Sequence, residues 1–250
     1  MSDHKKTALV TGASAGLGAE FCRQLADTCE VIIAVARRGD RMHQLAEELA
    51  DKAELHVVEA DLTAVEGVTR AVEALRQKGP VDYLVNNAGF GTFGGFVETG
   101  FNAQQNMVRL HIDATLELCR AAAPYMAELG GGYIINVASI GGFLPMKDTA
   151  VYGATKAFLI SFSSSLQQEV AKQGTKVQCL CPGFTHTELH DLPTRAGFDK
   201  SRVPQKLWLD PAVVVRQSLL GLSSQSVLLI PGEFNADMVR SGLQGQLDSL

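Results

Sequence analysis

The sequence predicts a doubly wound α/β fold, a mostly parallel seven-stranded sheet with helices on both faces. Three observations predict it. Short apolar runs alternate with helical patterns along the whole chain, and strands separated by single helices need right-handed crossovers that build a parallel sheet. The run from Val31 to Ala36 is apolar at every position, as a strand covered on both faces must be. The first strand leads directly into Thr11-Gly12-Ala13-Ser14-Ala15-Gly16-Leu17-Gly18, a glycine-rich turn that opens a helix.

The elements follow in order. Thr7 to Val10 is a strand and Gly16 to Ala26 a helix. After the second strand, Arg41 to Ala50 is amphipathic, with Met42, Leu45 and Leu49 on one side. Leu55 to Glu59 is the third strand. Val65, Val68, Val72 and Leu75 form the apolar stripe of the next helix, which Gly79-Pro80 ends. Val81 to Asn86 is a fourth strand, and a long helix from about Asn102 to Leu129 is expected to bend near Pro124. Tyr133 to Ala138, Lys176 to Leu180 and Val227 to Ile230 complete the strands, with helices at Ala150 to Lys172 and Ala212 to Leu220.

No linker, repeat or low-complexity segment interrupts the series, so residues 1–250 read as one domain. The stretch 184–208 is polar, rich in turn formers and long for a connection, and is expected to be a lid over a substrate. The net charge of −5, with no Lys/Arg cluster longer than two, speaks against nucleic acid. Met1 to Lys6 lacks the apolar core of a secretory signal. No apolar stretch approaches the roughly 20 residues of a membrane helix, so the expected compartment is a reducing cytosol. The odd cysteine count (Cys22, Cys29, Cys119, Cys179 and Cys181) does not suggest a disulfide framework. Cys179 and Cys181 are read as facing opposite sides of the sheet, which argues against a shared metal, and no metal site is expected.

The turn at Gly12, Gly16 and Gly18 has a physical use. Glycines let the backbone bend sharply and approach a pyrophosphate, and the helix N-terminus offers free N–H groups to that anion. A dinucleotide is the natural ligand, although an ordinary tight turn has the same look. The second strand ends Val35-Ala36-Arg37-Arg38, with no carboxylate at its tip to repel a 2′-phosphate. Arg37 can make charge-assisted contacts to that phosphate, so NADP(H) is favoured over NAD(H); a solvated Arg pair is the plainer alternative.

Tyr152-Gly153-Ala154-Thr155-Lys156 begins the helix after strand five; such a pair is common on helices and gains its meaning from context. Positions i and i+4 share a helix face, and a nearby ammonium lowers a phenol from its usual pKa of about 10. Ser139 lies just past the fifth strand, at the sheet edge where ligands bind in open α/β folds.

Thr-Gly-x-x-x-Gly-x-Gly, Asn86-Asn87-Ala88-Gly89, Ser139 and Tyr-x-x-x-Lys, in this order on these elements, resemble the short-chain dehydrogenase/reductase family over nearly the whole chain. The resemblance implies a Rossmann-type fold and a reductase. Tyr152 would be general acid in reduction, Lys156 would tune it and bind the nicotinamide ribose, and Ser139 would polarise the carbonyl. It implies cofactor contacts from Gly12, Ser14, Ala15, Gly16, Leu17 and Gly18 and from Asp61 and Leu62 beside the adenine, to which the charge at the tip of strand two adds Arg37 and Arg38. Asn87, Ala88 and Gly89, Tyr152 and Lys156, and Pro182, Gly183, Thr185 and Thr187 complete the set. It also implies a homodimer or homotetramer through the long helices after strands four and five.

One position departs from the family, which usually has Asn where His111 stands. Two readings of His111 follow: a tolerated substitution, or a member of the proton relay that titrates near neutral pH. Pocket candidates are Phe90, Phe93, Ile140, Phe143, Met146, Phe184, Leu189, Leu192 and Trp208, mostly apolar, which favours a hydrophobic ketone or aldehyde. His186, His190 and Arg195 are candidates for a polar or anionic group on the substrate. The alternatives are an alcohol dehydrogenase running towards oxidation and a non-catalytic NADP(H)-binding redox sensor.

Overall fold

The computed structural model describes residues 5–188, 199, 201 and 203–249. Seven strands form one sheet in the order β3-β2-β1-β4-β5-β6-β7. They are β1 (Thr7–Thr11), β2 (Val31–Ala36), β3 (Glu54–Glu59), β4 (Tyr83–Asn86), β5 (Gly132–Val137), β6 (Thr175–Leu180) and β7 (Leu228–Leu229). Every pairing is parallel, including the central contacts of β1 with β2 and β4. The order reverses between β1 and β4, and the crevice outside the strand ends at such a reversal is where open α/β sheets bind ligands.

Alternation along the central strands explains the two layers. On β1, Ala8 and Val10 face one core while Leu9 faces the other. The first core takes Phe21, Cys22 and Leu25 from α1 (Gly16–Leu25), Met42 and Leu45 from α2 (Gly39–Glu48), and Val214 and Val215 from α7 (Pro211–Gly221). The second takes Val68 and Leu75 from α3 (Val65–Lys78) and Leu118 and Met126 from α5 (Ala114–Glu128). Each fully buried side chain of this size contributes about 1.5–3 kcal/mol. Val65 departs from its expected stripe. It opens α3 and is exposed.

The long helix is interrupted, but not at Pro124, which sits inside an unbroken α5. It comprises α4 (Phe101–Val108), a π turn (Arg109–Asp113) and α5. A π turn adds one residue to a helical turn and tends to occur at functional sites; here it carries His111 into the interior.

Two C-terminal features complete the molecule. Asp210 caps α7 by accepting the Ala212 N–H at 2.7 Å, with Pro211 as first helical residue. The last helix, α8 (Glu233–Leu247), was not expected. Gly242 and Gly245 weaken its intrinsic propensity, and it buries few side chains. Gly242 has a packing reason, since a Cβ there would collide with the Leu144 side chain.

Candidate active site

The carboxyl ends of β1, β4, β5 and β6 converge on one cleft. The turn after β1 is held by Gly12 N–H donating to the Val35 carbonyl at 2.8 Å. Thr11 ties it to the segment after β4: its Oγ1 accepts the Asn87 and Ala88 N–H groups, each at 2.9 Å, and its carbonyl accepts from Asn87 Nδ2 at 2.8 Å. Gly12 adopts φ +67°, and a Cβ there would lie 2.8 Å from Asn87 Nδ2. A Cβ on Gly18 would run into the Gly12 carbonyl. Both glycines are therefore required by close backbone approach, and Ser14, Ala15 and Gly16 between them line open space that a pyrophosphate would fit. The fit to a dinucleotide rests on this cradle.

The segment after β6 closes the opposite side. A Cβ on Gly16 would lie 3.2 Å from Thr187 Cβ, so this turn faces the Pro182–Thr187 segment. Pro182 O accepts the Ile140 N–H at 3.0 Å, which joins that segment to the loop carrying Ser139. Thr185 is buried, and Leu62 belongs to the second core. The Asp61 carboxylate accepts from the Thr63 N–H and hydroxyl.

Ser139 caps the short 3₁₀ turn Ile140–Gly142, its Oγ accepting the Gly141 N–H at 3.1 Å. α6 (Ala150–Val170) carries Tyr152 and Lys156 one turn apart, both buried. A Cβ on Gly141 would lie 3.4 Å from Tyr152 Cε1 and 3.5 Å from Ser139 Oγ, so the serine hydroxyl and the tyrosine ring flank the same glycine. Lys156 Nζ is 5.9 Å from the Tyr152 ring centroid and donates to the Val137 carbonyl at 2.8 Å. Burial lowers its pKa to about 8, with Cys179 and Cys181 acting the other way.

His111 sits behind Tyr152, edge-on to its ring at 6.1 Å between centroids. Its Nε2 accepts the Phe90 N–H at 3.3 Å. The proton is thereby assigned to Nδ1, which donates to Thr155 Oγ1 at 2.9 Å; Thr155 in turn donates to the Tyr152 carbonyl at 2.9 Å. Gly89 makes room, since a Cβ there would lie 2.9 Å from Nε2. Burial, and secondly the Lys156 charge, hold the imidazole well below the ordinary histidine range. Both ring nitrogens have partners, and this geometry together with the burial opposes the reading of His111 as a group titrating near neutral pH.

The cysteine expectation is corrected. Residues two apart on a strand share a face, and the sulfurs of Cys179 and Cys181 lie 3.7 Å apart in one buried cluster with Ala138 and Leu159. Their hydrogen bond lowers the Cys179 thiol and raises that of Cys181.

At the far end of the cleft, Arg38 Nε donates to Ser14 Oγ at 3.2 Å. Glu188 bridges Arg38 at 2.9 Å and Arg41 at 2.5 Å. Arg37 instead places its charge near the Asp61 carboxylate. Sequence reasoning named Arg37 and Arg38 but missed Arg41, Glu188 and Thr155.

A cavity of about 860 Å³ runs from Ser14, Ala15 and Gly16 to His186, Glu188 and Trp208; Ser139, Tyr152 and Lys156 do not line it. Trp208 stacks on His186 at 4.9 Å and tilts against Phe184 at 5.4 Å, so these pocket candidates lie toward the glycine turn. Ile140 is buried and Phe143 packs on the Leu159 cluster. Leu189, His190, Leu192 and Arg195, with much of the expected lid, lie outside the described residues.

Known proteins share this fold. Residues 6–195 match the family model described as short chain dehydrogenase. An uncharacterized oxidoreductase of Staphylococcus epidermidis is 34% identical over 186 residues, covering 74% of this chain and 80% of its own length. A short-chain dehydrogenase from Sphingobium yanoikuyae, solved in complex with NADPH, superposes with a TM-score of 0.84 at 31% identity, over 98% of this chain and 96% of that one. The bulky-bulky ketone specific alcohol dehydrogenase from Comamonas testosteroni gives 0.80 at 30% identity, over 98% and 94%. The chain is an oxidoreductase that belongs to the short-chain dehydrogenase/reductase family, whose members use NAD(P)(H).

Proposed function

We propose that this protein is an NADPH-dependent reductase of a hydrophobic ketone or aldehyde. The observation that carries the reading is the meeting of Ser139 Oγ and the Tyr152 ring around Gly141, with the Lys156 ammonium behind that ring. A bound nicotinamide would supply the hydride; the chain supplies the rest. The cradle at Gly12, Gly16 and Gly18 would hold the pyrophosphate, and Arg37, Arg38 and Arg41 the 2′-phosphate. Asn87, Pro182, Thr185 and Thr187 would line the nicotinamide half.

Ser139 polarises the substrate carbonyl by donating a hydrogen bond to its oxygen, where charge develops during reduction. Tyr152 delivers the phenolic proton to that oxygen as general acid. The Lys156 ammonium favours the phenolate left behind and so eases the transfer. His111 holds Thr155 and, through it, the Tyr152 main chain, positioning the helix turn that carries the acid. Ile140 and Phe143, which follow Ser139, favour a hydrophobic substrate, and the likeness to a bulky-bulky ketone specific alcohol dehydrogenase favours a large one; the NADPH complex of the Sphingobium relative supports the cofactor. Exposed Val108 and Leu116 on the helices after β4 suit a homodimer or homotetramer.

The test is oxidation of NADPH and of NADH against a broad panel of ketones and aldehydes. Turnover with NADPH that disappears in Tyr152→Phe is expected. Tight NADPH binding with no turnover across the panel would favour the sensor and end the reductase reading.

A further inference from the structure

We infer that Glu188 is an internal stand-in for the cofactor's 2′-phosphate, and that its carboxylate competes for the arginines that would bind that phosphate. The inference deepens the proposed NADPH reading and rests on it.

The geometry is that of an occupied anion site. Arg38 stands at the N-cap of α2 and Arg41 in its first turn. Their guanidiniums hold the two carboxylate oxygens of Glu188 separately, Arg38 on Oε2 and Arg41 on Oε1. Arg38 is further oriented by Ser14 Oγ in the glycine turn. One anion thus spans two cations beside the α2 N-terminus and the pyrophosphate cradle. Arg37, Arg38 and Arg41 share this corner with Asp40, Glu59 and Asp61, yet the carboxylate that Arg38 and Arg41 hold is that of Glu188, which arrives from 147 positions beyond Arg41. The arginines do not need Glu188 for the fold. Arg38, Arg41 and Glu188 are 43%, 41% and 49% exposed, so water would satisfy each of them.

A 2′-phosphate offers the same donors more charge and more acceptor oxygens. To reach them it must displace Glu188, and a site available only part of the time binds with an affinity reduced by that fraction. A nucleotide with a free 2′-hydroxyl has no claim on Arg38 or Arg41 and so does not compete. Glu188 therefore weakens NADPH and leaves NADH unaffected, which moderates the cofactor preference that the arginines create. Release of NADP⁺ after turnover is helped by the same carboxylate returning to its partners.

The experiment is calorimetric titration of the full chain with 2′,5′-ADP and 5′-AMP, probes that carry the adenosine end without the nicotinamide. In wild type, tighter binding of 2′,5′-ADP than of 5′-AMP is expected; equal binding would overturn the NADPH reading alone. In Glu188→Gln, binding of 2′,5′-ADP should tighten by about 3–10-fold at low salt, the scale of one or two exposed ion pairs removed from competition, with 5′-AMP unchanged. The gain should shrink as salt rises. No change, weaker 2′,5′-ADP binding because Glu188 pre-orders the arginines, or an equal gain for 5′-AMP would each overturn the competition while leaving the cofactor reading standing. Glu188→Ala, read by the same titration, guards against a new hydrogen bond from the glutamine.

Discussion

At one end of the cleft, Tyr152, Lys156 and His111 are 8%, 5% and 1% exposed; at the other, the ion pairs of Arg38, Arg41 and Glu188 are about two-fifths to half exposed. Both ends handle charge, but by different physics. At the buried end, desolvation decides which groups are ionised, and fixed hydrogen bonds decide where they point. At the exposed end water satisfies every group in turn, so the ion pairs exchange easily and salt weakens them. The first arrangement suits proton transfer, which needs a set geometry. The second suits a ligand that must bind and leave.

The sharpest way to break this comparison is to remove one group at the buried end and read both ends. Tyr152→Phe keeps the ring and deletes the proton. Reduction should fall by about 10²–10⁴-fold, the usual worth of a positioned acid, with 2′,5′-ADP affinity unchanged. Steady-state NADPH oxidation and calorimetry on the same preparation check it. A change in nucleotide affinity as large as the loss of rate would show the two ends are not separable.

The second expectation concerns Lys156, whose pKa is lowered to about 8 by burial. The unfolded chain keeps this proton to about pH 10.4. Between those values the unfolded state binds more protons than the folded one, so stability rises with pH across the window, by up to about 3 kcal/mol. Below it both states hold the proton and the desolvation cost stands in full. Urea unfolding at about pH 7.5 and 9.5 should therefore show wild type gaining roughly 2 kcal/mol relative to Lys156→Met. Parallel behaviour of the two proteins would mean the ammonium is better solvated than its burial implies.

Arg38→Ala sharpens the comparison from the other side. Losing a charge-assisted contact to a 2′-phosphate at an exposed site should raise the KM for NADPH about tenfold, or about 1.4 kcal/mol, and leave that for NADH nearly unchanged. Arg37→Ala should act in the same direction but less strongly, since Arg37 lies toward Asp61. Paired KM values for the two cofactors decide it; a larger effect at Arg37 would relocate the phosphate contact.

How much of this was legible in the sequence depended on distance along the chain. The glycine turn could be read because strand, turn and helix are adjacent, and Tyr152 with Lys156 because one helical turn separates them. Ser139 was marked by the end of an apolar strand. Glu188 and Arg41 were not legible, because nothing local pairs residues 147 positions apart. The π turn left no composition signal, so the irregularity was sought at Pro124, where the backbone is chemically restricted. Cys179 and Cys181 were misread against the two-residue period that the same strand obeys. α8 was hidden by its glycines, one of which answers to Leu144 on another element.

The last expectation concerns His111, and its sign separates a structural histidine from a titrating one. With Nε2 accepting from Phe90 and Nδ1 donating to Thr155, protonation would cost the Phe90 hydrogen bond and place a cation near Lys156. The folded protein therefore refuses a proton that the unfolded chain accepts near pH 6.5. Stability from this residue is present above that value and is lost as pH falls from it through the lowered folded-state value. His111→Asn should flatten that acid-side slope in urea unfolding between about pH 6.5 and 5. Over the same range the pH–rate profiles of wild type and variant should have the same shape, because no ionisation of His111 takes part in turnover. A limb with an imidazole-like midpoint in wild type, gone in the variant, would restore His111 to the proton relay and remove the neutral tautomer assigned to it.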